Sequence, residues 1–85
     1  MTNEFLALGL DEELVLLHPD REQLILLDSW AREIWQQCEG RTTDELIDLV
    51  PAPGRRVRQT LRTLTRTGVI RCDGDRWIRA QTRWV

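Results

Sequence analysis

The first third of the chain alternates short apolar runs with polar turns. Three runs, at residues 5–10, 14–17 and 23–27, are dominated by aliphatic side chains and are too short for buried helices. Between the second and third runs, residues 18–22 carry Pro and Asp at positions that favour a turn. This pattern predicts an antiparallel meander of three strands.

From residue 29 onward the apolar positions recur at helical spacing. Asp28 or Ser29 is a suitable N-cap for a helix over residues 29–39. Gly40 follows, where a left-handed residue commonly ends a helix. One buried face of this helix is predicted to carry Trp30, Ile34, Trp35 and Cys38.

Two further helices follow. Thr42 and Glu45 have the spacing of a capping box, in which each side chain accepts a hydrogen bond from the other residue's backbone N–H. They predict a second helix over residues 43–50. A third is predicted over residues 54–67 and ends at Gly68. Its apolar face comprises Val57, Leu61 and Leu64.

The end of the chain reads as a hairpin. Asp73-Gly74 between the predicted strands 69–72 and 75–79 is a strong signal for a two-residue turn. Residues 80–85 are predicted to be a frayed tail, with Trp84 free to fold back. The order of elements predicts an α+β fold: an N-terminal three-stranded antiparallel sheet, three helices and a C-terminal hairpin, in a winged-helix-like arrangement. Residues 1–85 are expected to form a single domain.

The charge is divided unevenly along the chain. Residues 1–50 carry twelve acidic residues and three arginines, a net charge of −9, whereas residues 51–85 carry nine arginines and two aspartates, a net charge of +7. The whole chain, at −2, conceals this division. Such asymmetry favours an anionic partner for the basic half.

Much of the positive charge falls on one stripe of the third helix. Arg55, Arg58, Arg62 and Arg66 are spaced by three, four and four residues, which places them on one side. Arginine in the first turn, where the helix dipole disfavours cations by about 0.3–1 kcal/mol each, is not what helix stability alone would select. Two interpretations remain: a solvated face paired with the acidic half, or a face that binds an anion.

The sequence contains no arrangement typical of catalysis or metal binding. His18 lies in a predicted turn, and there is no phosphate-binding loop, nucleophile motif or metal-ligand cluster. We therefore predict no enzymatic activity, no metal and no cofactor. Cys38 and Cys72 are predicted to be reduced thiols.

The sequence also indicates where the protein acts. No apolar run approaches the roughly 20 residues of a membrane helix. The first residues lack the basic region of a signal peptide. We expect a cytoplasmic protein that makes no membrane contact.

Four short motifs in a fixed order connect the chain to a known family. They are Leu27-Asp28 at the end of a strand, Ile34-Trp35 in a helix, the turn Gly40-Arg41-Thr42, and Glu45-Leu46 at a helix start. Together they resemble the peptide-chaperone family around PqqD, whose members hold leader peptides of ribosomally made, modified natural products. The resemblance covers about residues 4–70. The short PAPG connector before the third helix and the terminal hairpin depart from the family pattern.

The resemblance implies a function. A leader peptide would add a strand to the sheet in the groove between the third strand and the third helix, for delivery to a separate modifying enzyme or leader protease. Partners of lasso-peptide proteases are one possible subgroup. The third strand has no Pro and no inward charge to protect its edge, and arginines beside it would grip leader carboxylates. The candidate peptide-binding residues are Leu24, Ile25, Leu26, Leu27, Arg55, Arg58, Leu61, Arg62 and Arg66.

A winged-helix DNA-binding protein is the alternative. The third helix would enter the major groove and the hairpin would be the wing. The net charge of −2 opposes this interpretation, because duplex binding normally rests on a basic surplus. Asp73 and Asp75 at the hairpin turn would also repel phosphates.

Overall fold

The structure, a computed structural model, describes residues 4–85 and has the predicted α+β class and order of elements. Differences from the predicted bounds are confined to one or two residues in the helices and the first three strands. Strands β1 (Phe5–Leu10), β2 (Glu13–Leu17) and β3 (Leu24–Leu27) precede helices α1 (Ser29–Gln37), α2 (Thr43–Leu49) and α3 (Gly54–Arg66), and strands β4 (Ile70–Asp73), β5 (Arg76–Arg79) and β6 (Thr82–Trp84) follow.

The N-terminal sheet has four strands rather than the predicted three. Its order is β3-β2-β1-β6, with β6 parallel to β1 and the other pairs antiparallel. The prediction of a frayed tail is therefore wrong. Backbone hydrogen bonds from Phe5 to Gln81 and from Val85 to Ala7, both 2.9 Å, hold the end of the chain against β1. Pairing with β1 gives the tail hydrogen-bond partners that no nearby residue supplies.

The predicted caps of the first two helices are confirmed in detail. The Asp28 side chain accepts a 2.8 Å hydrogen bond from the Ala31 N–H at the start of α1. At the start of α2, Thr42 and Glu45 form the complete capping box. Gly40 has the expected positive φ of 75°. These local signals depend on a few neighbouring residues, so the sequence displays them directly.

The C-terminal hairpin is present, but its turn is shifted by one residue. Asp73 pairs with Arg76, so the two turn residues are Gly74 and Asp75, with Gly74 at φ 67°. A glycine at the first turn position tolerates this left-handed backbone without steric cost. The hairpin is anchored through β5, because the Gly40 N–H bonds to the Trp77 carbonyl (2.7 Å) and the Trp77 N–H to the Arg41 carbonyl (2.9 Å).

The core lies between the sheet and the helices. Ile34, Trp35 and Cys38 are buried on α1 as predicted, but Trp30 is 38% exposed, so its predicted burial is wrong. At 100° per residue, Trp30 falls at the margin of the face centred between Ile34 and Trp35. The core also contains Phe5, Ala7, Leu14, Leu16, Ile25, Leu27, Leu46, Val50, Val57, Leu61, Leu64, Val69 and Ile70.

None of the helices in residues 4–85 has both the length and the apolar character that crossing a bilayer requires.

Candidate functional site

Strand β3 forms one edge of the sheet, and no strand within residues 4–85 pairs with its outer side. The His18 N–H bonds to the Gln23 carbonyl at 3.1 Å. Bonded and non-bonded pairs alternate in an antiparallel ladder, so in the register Leu16↔Ile25 the backbone groups of Ile25 point toward β2. Those of Leu24 and Leu26 therefore point away from the sheet. This edge can accept another strand.

The two faces of β3 differ sharply. Ile25 and Leu27 are 8% and 3% exposed and belong to the core, whereas Leu24 and Leu26 are 72% and 63% exposed. All four belong to the predicted peptide-binding set. The side chains of Ile25 and Leu27 thus point into the core, and those of Leu24 and Leu26 point to solvent. Leu24 and Leu26 also carry the backbone N–H and C=O groups that point away from the sheet.

A groove runs between β3 and α3, and we call it the β3 groove. Its cavity is about 260 Å³, and it is lined by Ile25, Leu26, Leu27, Ala31, Arg56, Gln59, Thr60, Thr63 and Leu64. Arg56 is the one charged side chain among these. Its Nη2 donates to Asp28 Oδ2 at 2.6 Å, so the N-cap carboxylate of α1 already holds it. The groove therefore offers mainly apolar surface and neutral polar groups.

The predicted arginine stripe lies on the opposite flank of α3. Arg58, Arg62 and Arg66 border a second cavity of about 700 Å³ between α2, α3 and β5, which we call the arginine cavity. The expectation that these arginines lie beside β3 is not met. At 100° per residue, Arg56, Gln59 and Thr63 occupy the β3 side of the helix, and Arg58 and Arg62 occupy the other. The lining residues are Thr43, Asp44, Arg58, Leu61, Arg62, Thr65, Arg66 and Trp77.

The arginine stripe makes no ion pair within residues 4–85. The three ion pairs there are Arg56–Asp28 (2.6 Å), Arg76–Glu45 (3.4 Å) and Arg79–Glu39 (3.9 Å). Arg55, Arg58, Arg62 and Arg66 are exposed and belong to none of them. This does not match the interpretation that the stripe pairs with the acidic half of the chain.

Apolar groups form the inner wall of the arginine cavity. Leu61, one of the predicted site residues, is only 2% exposed and is mainly a core residue. Trp77 is half-buried, and its Nε1 donates to Thr43 Oγ1 at 3.0 Å, which fixes the indole ring between β5 and α2. The cavity thus combines arginine side chains with an immobilised aromatic ring.

The α2 wall of the arginine cavity carries negative charge. Asp44 lines the cavity itself. Glu45 lies next in the chain, where the backbone N–H of Thr42 is the main reason that its pKa is lowered, with Arg76 contributing less. Glu45 therefore stays ionised at neutral pH, but it is paired with Arg76 and does not line the cavity, so Asp44 is the one carboxylate among the lining residues.

The cysteine and histidine side chains lie outside both the β3 groove and the arginine cavity. Cys38 and Cys72 are free, as predicted. Burial raises the pKa of the Cys38 thiol to about 11, so this thiol stays protonated at neutral pH. His18 accepts a hydrogen bond from the Asp20 N–H at 3.0 Å within its turn. Among residues 4–85, no three His, Cys, Asp or Glu side chains are grouped as a metal site would require.

Sequence reasoning missed several lining residues. Arg56, Gln59 and Thr63 follow one another at spacings of three and four, so their common side of α3 was visible in the sequence. Nothing in the sequence indicated that this side faces β3. Trp77 lies 12 residues beyond Thr65, and only the docking of the hairpin brings it to the arginine cavity.

One comparison with known proteins gives a match. A family model described as "Coenzyme PQQ synthesis protein D (PqqD)" matches residues 13–70, which span β2, β3 and all three helices. The matched region contains every residue of the β3 groove and every residue of the arginine cavity except Trp77. No curated protein and no solved structure matches the chain.

Proposed function

The chain belongs to the PqqD family, and we propose that it is a non-catalytic recognition element that binds the leader of a ribosomally made precursor peptide by strand addition at β3. A separate modifying enzyme or leader protease would then act on the bound precursor. The observation that carries the proposal is the outward-facing edge of β3 beside the largely apolar β3 groove. Cytoplasmic location, expected from the sequence, belongs to the same proposal.

In strand addition, the main chain supplies most of the affinity and the side-chain pockets supply the specificity. The outward N–H and C=O groups of Leu24 and Leu26 would bond to the peptide backbone and supply affinity with little dependence on peptide sequence. Side chains of the added strand alternate between two faces. Those pointing inward would enter the β3 groove against Gln59 and Thr63, and those pointing outward would lie beside Leu24 and Leu26.

The groove favours short aliphatic residues in the peptide. Its cavity of about 260 Å³ is bounded by Leu27, Ala31 and Leu64, and Arg56 is held at one end by Asp28. Filling such apolar surface contributes about 25 cal/mol per Å² removed from water. We therefore expect the inward positions of the leader to be Val, Leu or Ile.

A proline scan of the β3 edge tests the proposal. Leu26→Pro removes one outward N–H and leaves the ladder to β2 intact, because the Leu26 backbone does not bond to β2. We expect it to weaken binding of a labelled cognate leader peptide by at least about tenfold, the equivalent of one or two hydrogen bonds. Fluorescence anisotropy measures the affinity, which should be micromolar or better for the wild type.

Two controls accompany this test. Leu26→Ala shortens the side chain but keeps the N–H, so it should retain most of the affinity, and the unfolding midpoint of Leu26→Pro should stay near that of the wild type. A random duplex DNA is titrated in parallel. Equal affinities for Leu26→Pro and Leu26→Ala, or tighter binding to duplex than to leader, would contradict strand addition at β3.

A further inference from the structure

The arginine cavity is unused by strand addition at β3. Arg58, Arg62 and Arg66 have no ion-pair partner within residues 4–85, whereas Arg56, Arg76 and Arg79 each pair with a carboxylate. The uncompensated charge borders a surface cavity of about 700 Å³. A cavity of this size with three arginines is suited to an anionic chain rather than to a single small ion.

We propose that the precursor peptide is bipartite: its apolar segment adds to β3, and an acidic segment crosses α3 and binds in the arginine cavity. This proposal rests on the proposed function and identifies the class of peptide that the protein recognises. Arginine can bind a carboxylate through two parallel N–H···O bonds, which makes carboxylates suitable ligands for this flank.

Arg55 provides a path between the two flanks. It is exposed and lines neither the β3 groove nor the arginine cavity, and at 100° per residue it lies on the solvent side of α3, next to Arg62 at the border of the cavity. A helix with its side chains is about 10–12 Å in diameter, so half of its circumference is about 16–19 Å. An extended chain advances about 3.3–3.6 Å per residue. About five or six residues therefore connect the apolar and acidic segments.

The spacing of the arginines indicates the pattern of the acidic segment. Arg58, Arg62 and Arg66 are each four residues apart, which is about 6 Å along the helix axis. Alternate residues of an extended peptide are about 6.6–6.8 Å apart and point the same way. Glu or Asp at alternate positions would therefore meet successive arginines. The residues between them would contact solvent or the wall formed by Leu61 and Trp77.

Carboxylates fit this cavity better than the phosphates of a duplex. Asp44 lies on the α2 wall, and Asp73 and Asp75 lie at the hairpin turn that a DNA backbone would approach. A narrow peptide can follow the arginine side of α3 and stay away from the hairpin turn, whereas a duplex that receives α3 in its major groove would bring its backbone to that turn.

The test compares two triple variants with the same change in charge. R58Q/R62Q/R66Q removes the arginines of the cavity. R21Q/R71Q/R83Q removes three exposed arginines that lie outside the cavity and make no ion pair within residues 4–85. We expect the cavity variant to bind the leader at least tenfold more weakly and the control variant to remain within about twofold of the wild type. Equal losses in both variants would overturn the proposal, because they would reflect net charge alone.

A second probe isolates the acidic segment from the apolar one. The peptide (Glu-Ser)5 has the alternating carboxylates and no apolar side chain, and (Gln-Ser)5 is its neutral control. Titration of (Glu-Ser)5 should shift the Trp77 indole N–H resonance and the α3 amide resonances in a nitrogen-15 NMR spectrum. The shifts should persist in Leu26→Pro and be absent in R58Q/R62Q/R66Q.

The outcomes separate the two proposals. If (Glu-Ser)5 causes no shift at Trp77, or if (Gln-Ser)5 causes the same shift, the acidic segment does not bind there, and strand addition at β3 stands on its own test. The wild type could instead bind duplex DNA more tightly than it binds the leader. If R58Q/R62Q/R66Q then loses this duplex binding, the cavity binds nucleic acid and the proposal is wrong. Loss of leader affinity in Leu26→Pro alone, with both arginine variants unaffected, would also overturn the bipartite peptide.

Discussion

The two flanks of α3 offer a peptide different kinds of interaction. On the β3 flank, the binding groups are main-chain N–H and C=O, and the only arginine is already bound to Asp28. On the opposite flank, Arg58, Arg62 and Arg66 surround a wider cavity without an ion-pair partner in residues 4–85. Main-chain hydrogen bonds depend little on salt, whereas exposed charges are screened over about 10 Å at 0.1 M salt. The contributions of the two flanks can therefore be measured separately.

The helix itself explains how both flanks coexist. Val57, Thr60, Leu61 and Leu64 face the core, and the residues on either side of this buried stripe are exposed. In 13 residues, α3 therefore presents one face to the core, one to β3 and one to α2 and the hairpin. Substitutions on one flank should leave the other intact, provided that the core beneath them is preserved.

Trp35→Ala should have the largest effect and should disrupt both flanks. The ring is 1% exposed, Trp84 contacts it edge-on at 6.1 Å between ring centroids, and the Arg79 guanidinium lies 4.8 Å from its centroid. Deleting a buried large aromatic side chain costs about 3–5 kcal/mol. Urea denaturation measures the loss, and Trp30→Ala, at a partly exposed position, is the control. A loss below about 1 kcal/mol, the level expected for surface positions, would show that Trp35 is not a core residue.

Thr42→Ala should destabilise the start of α2, which forms one wall of the arginine cavity, and should leave the β3 groove unchanged. Removing a capping side chain costs about 0.5–2 kcal/mol, and Thr42→Ser should restore most of it. The folded-state pKa of Glu45 is lowered, mainly by its hydrogen bond from the Thr42 N–H. The ionised Glu45 therefore stabilises the fold above its unfolded pKa, and this stabilisation is lost as pH falls through its folded pKa.

A Glu45→Gln variant tests this pH dependence. The difference in free energy of unfolding between wild type and Glu45→Gln should shrink in acid, as measured by unfolding at several pH values.

Trp84→Ala tests the other edge of the sheet. Trp84 is 52% exposed and contributes an edge-to-face contact with Trp35, so its removal should cost about 0.5–1.5 kcal/mol. Because β6 and β3 are at opposite edges, leader affinity should be unchanged. A loss of affinity comparable to that of Leu26→Pro would mean that the peptide binds at the β6 edge of the sheet. The two flanks of α3 would then not be the peptide-binding surfaces.

Arg58→Gln with Arg62→Gln should have the smallest effect on stability and a selective effect on binding. Exposed charges are worth about 0–1 kcal/mol to folding, so the unfolding midpoint should hardly change. Wild-type leader affinity should fall as salt rises, and the double variant should show a weaker salt dependence. Isothermal titration at low and high salt measures both. If wild type and double variant have the same leader affinity and the same salt dependence, these arginines form only a solvated face.

Features determined by neighbouring residues could be read from the sequence. The three N-terminal strands, the Asp28 cap, the capping box of Thr42 and Glu45, and the order of the helices were all predicted correctly. Each depends on residues within about four positions along the chain, where periodicity and turn chemistry act. The sequence of β3 also showed that the strand lacks the protections that edge strands usually carry, whereas its position at an edge was implied only by the family resemblance.

The tertiary structure alone decided which surfaces meet. Parallel pairing of β6 with β1 joins residues more than 70 positions apart, and docking of the hairpin brings Trp77 to Thr43. Periodicity showed that Arg58, Arg62 and Arg66 share a side of α3, but the rotation of α3 against the sheet decided that this side faces α2 rather than β3. That rotation is set by packing of Val57, Leu61 and Leu64 against the whole core. Such packing is a property of many distant contacts together, so no local pattern in the sequence can specify it.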